Sequence, residues 1–373
     1  MPGPLRELAV TFLRLGLTAF GGPAAHLALM QDEFVRRRRW VTAEEFLDLV
    51  GAASLIPGPS STEVAIFLGH RRAGLAGLVL AGTCFILPAA LIVTGLAWAY
   101  VRFGTLPSGA GLLRGVEPVV VAILAQALWA FGRTALKSAW LALLGAGVLA
   151  LALAGASPLL LLVLAGAASL AARRRPGALP AVAVPLAPLA LAAPSAAGVA
   201  TVGQLFLVFL KAGSVVFGSG YVLLAFLRGD LVERLGWLTE AQLVDAVAVG
   251  QVTPGPVFTT ATFIGYLLLG PAGAAAATAA IFLPSFLLVA VSGPLVPRLR
   301  RSPAASAFLD GVNAASLGLM AAAGLALGRG ALVGPLGVAM GAASLVLLIR
   351  YRVSATWLVA GGAALGLAAA VLR

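Results

Sequence analysis

Reactive side chains are scarce in this chain. It has one cysteine, Cys84, in 373 residues, which excludes an internal disulfide. The two histidines, His26 and His70, are too few for a metal site, and no cluster of His, Cys and Asp accompanies them. No Gly-x-x-x-x-Gly-Lys phosphate loop occurs, so ATP is not the expected energy source. No clear acid/base pair marks an enzyme, and no catalytic residue, metal or cofactor is expected. A cleavable signal peptide is not expected either, because the first apolar segment carries Arg14 and a Gly-Gly-Pro, a poor apolar core for one. Charged residues make up only 10%, far below a soluble domain.

Apolar residues dominate instead, at 61%, with a mean hydropathy of +1.05. The length allows roughly a dozen membrane segments. The net charge is +12. The basic residues cluster between apolar runs, which reads as positive-inside topology and not as nucleic-acid binding. The expected surroundings are a lipid bilayer.

An internal repeat organises the chain. Trp40, Thr42 and Asp48 match Trp237, Thr239 and Asp245 at one offset, and Pro57-Gly58-Pro59 matches Pro254-Gly255-Pro256. Phe12-Leu13-Arg14-Leu15-Gly16 matches Phe209-Leu210-Lys211-Ala212-Gly213, and Phe20-Gly21-Gly22-Pro23 matches Phe217-Gly218-Ser219-Gly220. Beyond a gap of one residue, Gly69, Pro88, Gly115 and Gly132 match Gly265, Pro284, Gly311 and Gly328. The expected units are a first repeat, 1–172, and a second, 201–373. Between them, 173–200 is basic and then rich in Pro and Ala, as in a semi-rigid linker. A further crossing there stays open.

Each half offers six apolar segments. Those around the two Pro-Gly-Pro triplets, 44–69 and 239–268, cannot be continuous helices, because proline lacks an N–H and clashes with the preceding turn. Each arm is too short to cross a bilayer, so the segment is a broken helix or a re-entrant hairpin. Charge favours the hairpin. Arg36–Arg39 precede the first triplet and Arg71 and Arg72 follow it, so both clusters fall on one side if the segment turns back. That leaves five crossings per half, and an odd number inverts the second half. The basic clusters accordingly change loops, with Arg298, Arg300 and Arg301 where the first half has only Arg102 and Arg114. The fold expected is an all-α polytopic membrane protein of two inverted repeats, each about five transmembrane helices plus a Pro-Gly-Pro hairpin.

Paired breaks in two halves point to a transport pathway. A helix that starts at a break offers unpaired N–H groups and the positive end of its dipole, which suits a tetrahedral oxyanion. Candidate binding residues are therefore Gly21, Gly22, Pro23, Pro57, Gly58, Pro59, Ser60, Ser61 and Thr62. Gly218, Ser219, Pro254, Gly255, Pro256 and Thr259 are their counterparts in the second half. Arg14 and Lys211 lie inside apolar segments, where a basic residue costs about 2.5–3.5 kcal/mol on insertion scales, so both are expected to face the interior. Glu63 and His26 follow the two breaks of the first half by one turn. They are candidates for proton coupling, with Glu63 also a candidate partner for Arg14. The repeat sets threonine opposite Glu63.

Phe20-Gly21-Gly22-Pro23-Ala24-Ala25-His26, the basic loop with Trp40, Pro57-Gly58-Pro59 and Phe85-Ile86-Leu87-Pro88 resemble the chromate transporter family in its long, two-domain form. The resemblance covers nearly the whole chain. It implies a multi-pass secondary transporter of the bacterial or archaeal inner membrane. The two halves would be inverted, and the cargo a small inorganic oxyanion, chromate, exported by an antiporter at the expense of the proton-motive force. Sulfate-like anions are expected competitors. The second half departs from the motif at Lys211 and at Gly218-Ser219-Gly220. Other readings stay open: a different oxyanion, a flippase or enzyme acting on lipid-linked phosphate, or a channel-like scaffold. The oligomeric state is open as well, a homodimer included.

Overall fold

The computed structural model describes residues 3–20, 22–103, 107–172, 200–216, 222–292, 302–332 and 334–371. They form helices and turns, with no strand among the described residues. The first half comprises α1 (Pro4–Thr18), α2 (Gly22–Gln31), α3 (Ala43–Ala53), α4 (Ser60–Phe103), α5 (Pro107–Ala135), α6 (Ala139–Leu153) and α7 (Pro158–Ala172). The second comprises α8 (Val202–Val215), α9 (Val222–Leu227), α10 (Glu240–Val252), α11 (Thr260–Ser292), α12 (Pro303–Ala331), α13 (Gly334–Arg350) and α14 (Ala355–Val371). The linker, apart from Ala200, lies outside the described residues, as do Arg298, Arg300 and Arg301.

The repeat is visible in how helices begin and end. Thr42 caps α3 by accepting from the Glu45 N–H at 3.1 Å, while the Glu45 carboxylate accepts from the Thr42 N–H at 2.8 Å. Thr239 and Gln242 make the same box at α10. Such boxes satisfy two N–H groups that a helix start otherwise leaves free. The Pro-Gly-Pro triplets then end α3 and α10. The runs that follow fold back on themselves. α4 is two arms, 60–72 and 75–103, reversed at Ala73 and Gly74, where Gly74 has φ +59°. α11 reverses likewise at Leu269 and Gly270, φ +61°. The arms touch through glycine: a Cβ on Gly69 would strike the Gly77 backbone, and one on Gly265 that of Gly273. Small residues at such contacts let helix backbones approach closely.

The two ends of the first hairpin lie together. Arg38 and Arg72 both reach Glu7, at 2.7 and 3.4 Å, and both stack on Trp40, at 5.5 and 5.1 Å from its ring centre. The clusters that flank the segment therefore meet.

The two halves interlock. α5 packs against α13 and α14, and its counterpart α12 packs against α6 and α7. A Cβ on Gly115 would collide with the Gly362 backbone, and one on Gly311 with that of Ala165. α5 and α12 lie antiparallel. The Gly132 Cβ position is 3.6 Å from Leu317, and that of Gly328 is 3.7 Å from Val121. In the repeat register Gly132 matches Gly328 and Val121 matches Leu317, so this is one contact seen from each half. Lys137 on the first half also pairs with Asp310 on the second at 2.7 Å.

Four helical runs hold a stretch long and apolar enough to cross a membrane, within 60–103, 114–135, 257–292 and 303–331; in the first and third only the arms after the reversals, 75–103 and 271–292, have that length. Together with the shorter apolar helices they describe a multi-pass membrane protein. α6 and α7, expected as crossings, have 15 residues each, about 22 Å of helix against a hydrocarbon core of roughly 30 Å. The turn at Gly155, φ +87°, followed by Pro158 separates them, at the boundary that the apolar segments 138–155 and 157–172 already mark.

Candidate functional site

The Pro-Gly-Pro turns sit where the halves meet, and each docks on the residue that ends the first helix of the other half. The Gly58 N–H donates to the Val216 carbonyl at 2.8 Å, and the Gly255 N–H donates to the Ala19 carbonyl at 2.8 Å. Val216 ends α8 just before Phe217-Gly218-Ser219-Gly220, and Ala19 ends α1 just before Phe20-Gly21-Gly22-Pro23. The two bonds are repeat equivalents. Pro57, Gly58, Pro59 and all of 253–260 are buried. Gly58 has φ +137° and Gly255 +85°, values that favour glycine. A Cβ on Gly58 would collide with the Glu63 carboxylate and the Ser285 hydroxyl; one on Gly255 would come within 2.7 Å of the Ala89 Cβ. Ala89 is the counterpart of Ser285.

Polar groups gather round these turns. Ser61, Thr62, Glu63, Thr259, Thr260 and Ser285 are at most 2% exposed. Glu63 folds back over its own turn: its Oε1 accepts from the Ser285 hydroxyl at 3.3 Å, and its Oε2 has no hydrogen-bond partner. No basic side chain pairs with it among the described residues. The expected Glu63–Arg14 pair is therefore replaced by a bond to α11 of the other half. His26, 1% exposed, places Nδ1 3.2 Å from the Ser61 hydroxyl; its ring lies beside the Ala19 carbonyl and edge-on to Phe85, and Nε2 makes no well-formed hydrogen bond. Thr259, the counterpart of Glu63, turns its hydroxyl to the Pro256 carbonyl at 2.8 Å. Ser60 begins α4, half-buried, and Gly22 and Pro23 open α2. Gly21, Gly218 and Ser219 lie outside the described residues.

The two basic candidates do not converge on this centre. Arg14 is exposed on the outer face of α1. The reason is helical phase: Leu8, Phe12, Leu15 and Ala19 form the buried face, and Gly16 is held against the Phe85 carbonyl, so residue 14 points away. Lys211 is 24% exposed and pairs with Asp230 at 2.9 Å, an acid that Arg234 also reaches at 3.1 Å. Lys211, Arg228, Asp230, Arg234 and Arg329 line a cavity of about 670 Å³. Arg228 holds Glu240 at 2.7 Å and also pairs with Glu233. Lys211 thus faces a charged cavity, as an interior basic residue should; Arg14 does not.

A description of the chromate transporter family fits the chain twice, over residues 6–170 and 203–367. The chain belongs to the chromate transporter family. It is 35% identical over 375 residues to the chromate transport protein of Cupriavidus metallidurans, covering 98% of this chain and 93% of that one. It is 36% identical over 340 residues to the chromate transport protein of Pseudomonas aeruginosa, covering 86% and 81%. An uncharacterized transporter of Methanocaldococcus jannaschii is 26% identical over 335 residues, covering 85% and 82%. No solved structure matches the chain. These relatives are named as transport proteins, not enzymes.

Within this family frame, the residues that sequence reasoning missed are those reached only through the other half: Val216 and Ala19, whose carbonyls receive the turns, and Ser285. The signal for Ser285 was present. It follows Pro284, which the repeat aligns with Pro88, and its first-half counterpart is an alanine.

Proposed function

We propose that the protein exports chromate across the cytoplasmic membrane, in exchange for protons, by a path through the two Pro-Gly-Pro turns. The observation that carries this reading is the reciprocal docking of each turn on the residue that ends the other half's first helix, Val216 or Ala19. It brings backbone N–H groups, helix starts and the hydroxyls of Ser61, Thr62 and Thr259 to one buried junction. The chromate transport proteins it resembles supply the cargo.

The two halves are read as inverted in the membrane. The antiparallel α5 and α12, with their reciprocal contact, support a two-fold axis in the membrane plane. The meeting of Arg38 and Arg72 at Glu7 supports a re-entrant first hairpin. The closed junction is an occluded state, with the 670 Å³ cavity as a charged vestibule on the side of the second half. Lys211 and Arg228 draw the anion there, each released from its acidic partner as the dianion binds.

Glu63 gives the coupling. Seated on the first turn it carries the inward proton, held by Ser285. A dianion and an ionised Glu63 do not share one desolvated turn, so the turn holds either the protonated side chain or the dianion, and the displaced carboxyl releases its proton only on reaching water. Outward movement of the dianion also gains about 2.3 kcal/mol per charge for each 100 mV, negative inside.

Equilibrium binding of labelled chromate to purified protein tests the site. Binding that sulfate reduces and that Lys211→Ala weakens about tenfold is expected. Chromate binding that is absent, or unaffected by Lys211→Ala and by Gly255→Leu, would remove the junction and vestibule from the path.

A further inference from the structure

A second buried carboxylate stands apart from the turns. Asp245 lies in the middle of α10, the arm that leads to the second Pro-Gly-Pro, and is 3% exposed. Its Oδ2 accepts a 2.8 Å hydrogen bond from the Tyr100 hydroxyl, which comes from α4 of the other half. The Tyr100 ring is fixed edge-on against Phe263 at 5.1 Å. The other carboxylate oxygen, Oδ1, has no hydrogen-bond partner. Among the described residues no Lys, Arg or His pairs with Asp245. The groups that act on it are Tyr100 from α4 and Glu117 from α5. α14 carries no titratable side chain, and α11, α12 and the segment after α9 bring none that acts on it.

Glu117, whose charge acts on Asp245, borders open space. With Arg114 and Ala241 it lines a cavity of about 580 Å³, and Ala241 precedes Asp245 by one turn of α10. The matching position in the first half, Asp48, is exposed. Burial of this acid is thus peculiar to the second hairpin. An ionised carboxylate with no cation and one oxygen unbonded is costly in such a place. A proton on Oδ1 cancels that charge.

We propose that Asp245 is a proton-binding site of the second hairpin, held by Tyr100 and filled from the cavity by way of Glu117. A proton reaching Glu117 from cavity water passes to Asp245 Oδ1, and Glu117 returns to its carboxylate. The site deepens the proton-exchange half of the function proposed above and rests on that reading for its role. Its occupancy is measurable without any transport.

Infrared difference spectra of the reconstituted protein across a pH titration read the site directly. A band of protonated carboxylic acid is expected that disappears at high pH. Aspartate carrying a heavy carbon isotope in its side-chain carboxyl should shift the band. Asp245→Asn should abolish it, whereas Glu63→Gln should leave it in place. Tyr100→Phe, which removes one hydroxyl from a partly buried site, should move both its frequency and its midpoint. Glu117→Gln should slow its response to a pH jump. A titrating band that ignores the aspartate label, or the absence of any such band, overturns the proposal. Should Asp245→Asn fail to fold, an isotope-shifted band that Tyr100→Phe leaves unmoved also overturns it. Loss of chromate flux with the band intact would count against the transport reading and not against this site.

Discussion

Replacing Gly58 by alanine adds one methyl group at the point where the two halves meet. The residue stands at φ +137°, which an L side chain adopts at a cost of about 1–3 kcal/mol. The new Cβ would also overlap the Glu63 carboxylate and the Ser285 hydroxyl, both fully buried. Pushing them apart breaks their bond and leaves a buried polar group without its partner, a further cost of about 1–3 kcal/mol. The sum is about 2–6 kcal/mol. A matched control is Gly236→Ala: φ there is +62° but no atom lies within 4 Å of the added Cβ, so only the backbone strain of about 1–2 kcal/mol applies. Thermal unfolding of the two variants in detergent, side by side with the parent, reads the difference. Gly58→Ala should melt well below Gly236→Ala and should also lose transport. Equal melting of the two variants would mean that the turn is not packed against Glu63 and Ser285, and the reasoning would fail.

Three further outcomes follow from the same geometry. Arg14→Ala should change chromate affinity less than Lys211→Ala, because only Lys211 faces the charged cavity; equal losses from equilibrium binding would contradict the placement of Arg14. The Thr42 backbone N–H, with Arg71 beside it, holds the Glu45 carboxyl below its ordinary range, so its stabilisation is present above the ordinary carboxylate pKa and is lost as pH falls through the lowered one. Melting of Glu45→Gln should accordingly converge with the parent at acid pH and fall below it near neutrality; parallel curves would refute this. Cysteines at Ser108 and Ser302, in a Cys84→Ala background, should label from opposite sides of the membrane, and labelling of both from outside would rule out inverted halves.

What was legible in the sequence was local. Proline and glycine act on their own backbone, so the breaks at Pro23, Pro57–Pro59 and Pro254–Pro256 could be read directly. The constant offset of Trp40, Thr42 and Pro57 from their counterparts fixed the repeat. The meeting of the arginine clusters around the first hairpin was also readable, because like clusters at both ends of one segment suggest that the ends lie together. Long-range partners were not. Nothing near Glu63 in the chain names Ser285, and nothing near Gly58 names Val216. Arg14 shows the limit of a cost argument. The penalty for a basic residue in an apolar segment predicts an inward side chain, but the phase of Leu8, Phe12 and Gly16 turns it outward. The same penalty read Lys211 correctly, because Asp230 and Arg234 give it charged company.

Uptake of labelled chromate into inverted membrane vesicles tests the central claim most directly, that chromate passes the docked Pro-Gly-Pro turns. Vesicles with the parent protein should accumulate chromate when energised, lose the uptake with a protonophore, and show partial competition by sulfate. Gly58→Leu and Gly255→Leu, each folded by its melting curve, should accumulate none. Normal uptake by both leucine variants, or no uptake by the parent, would contradict the account.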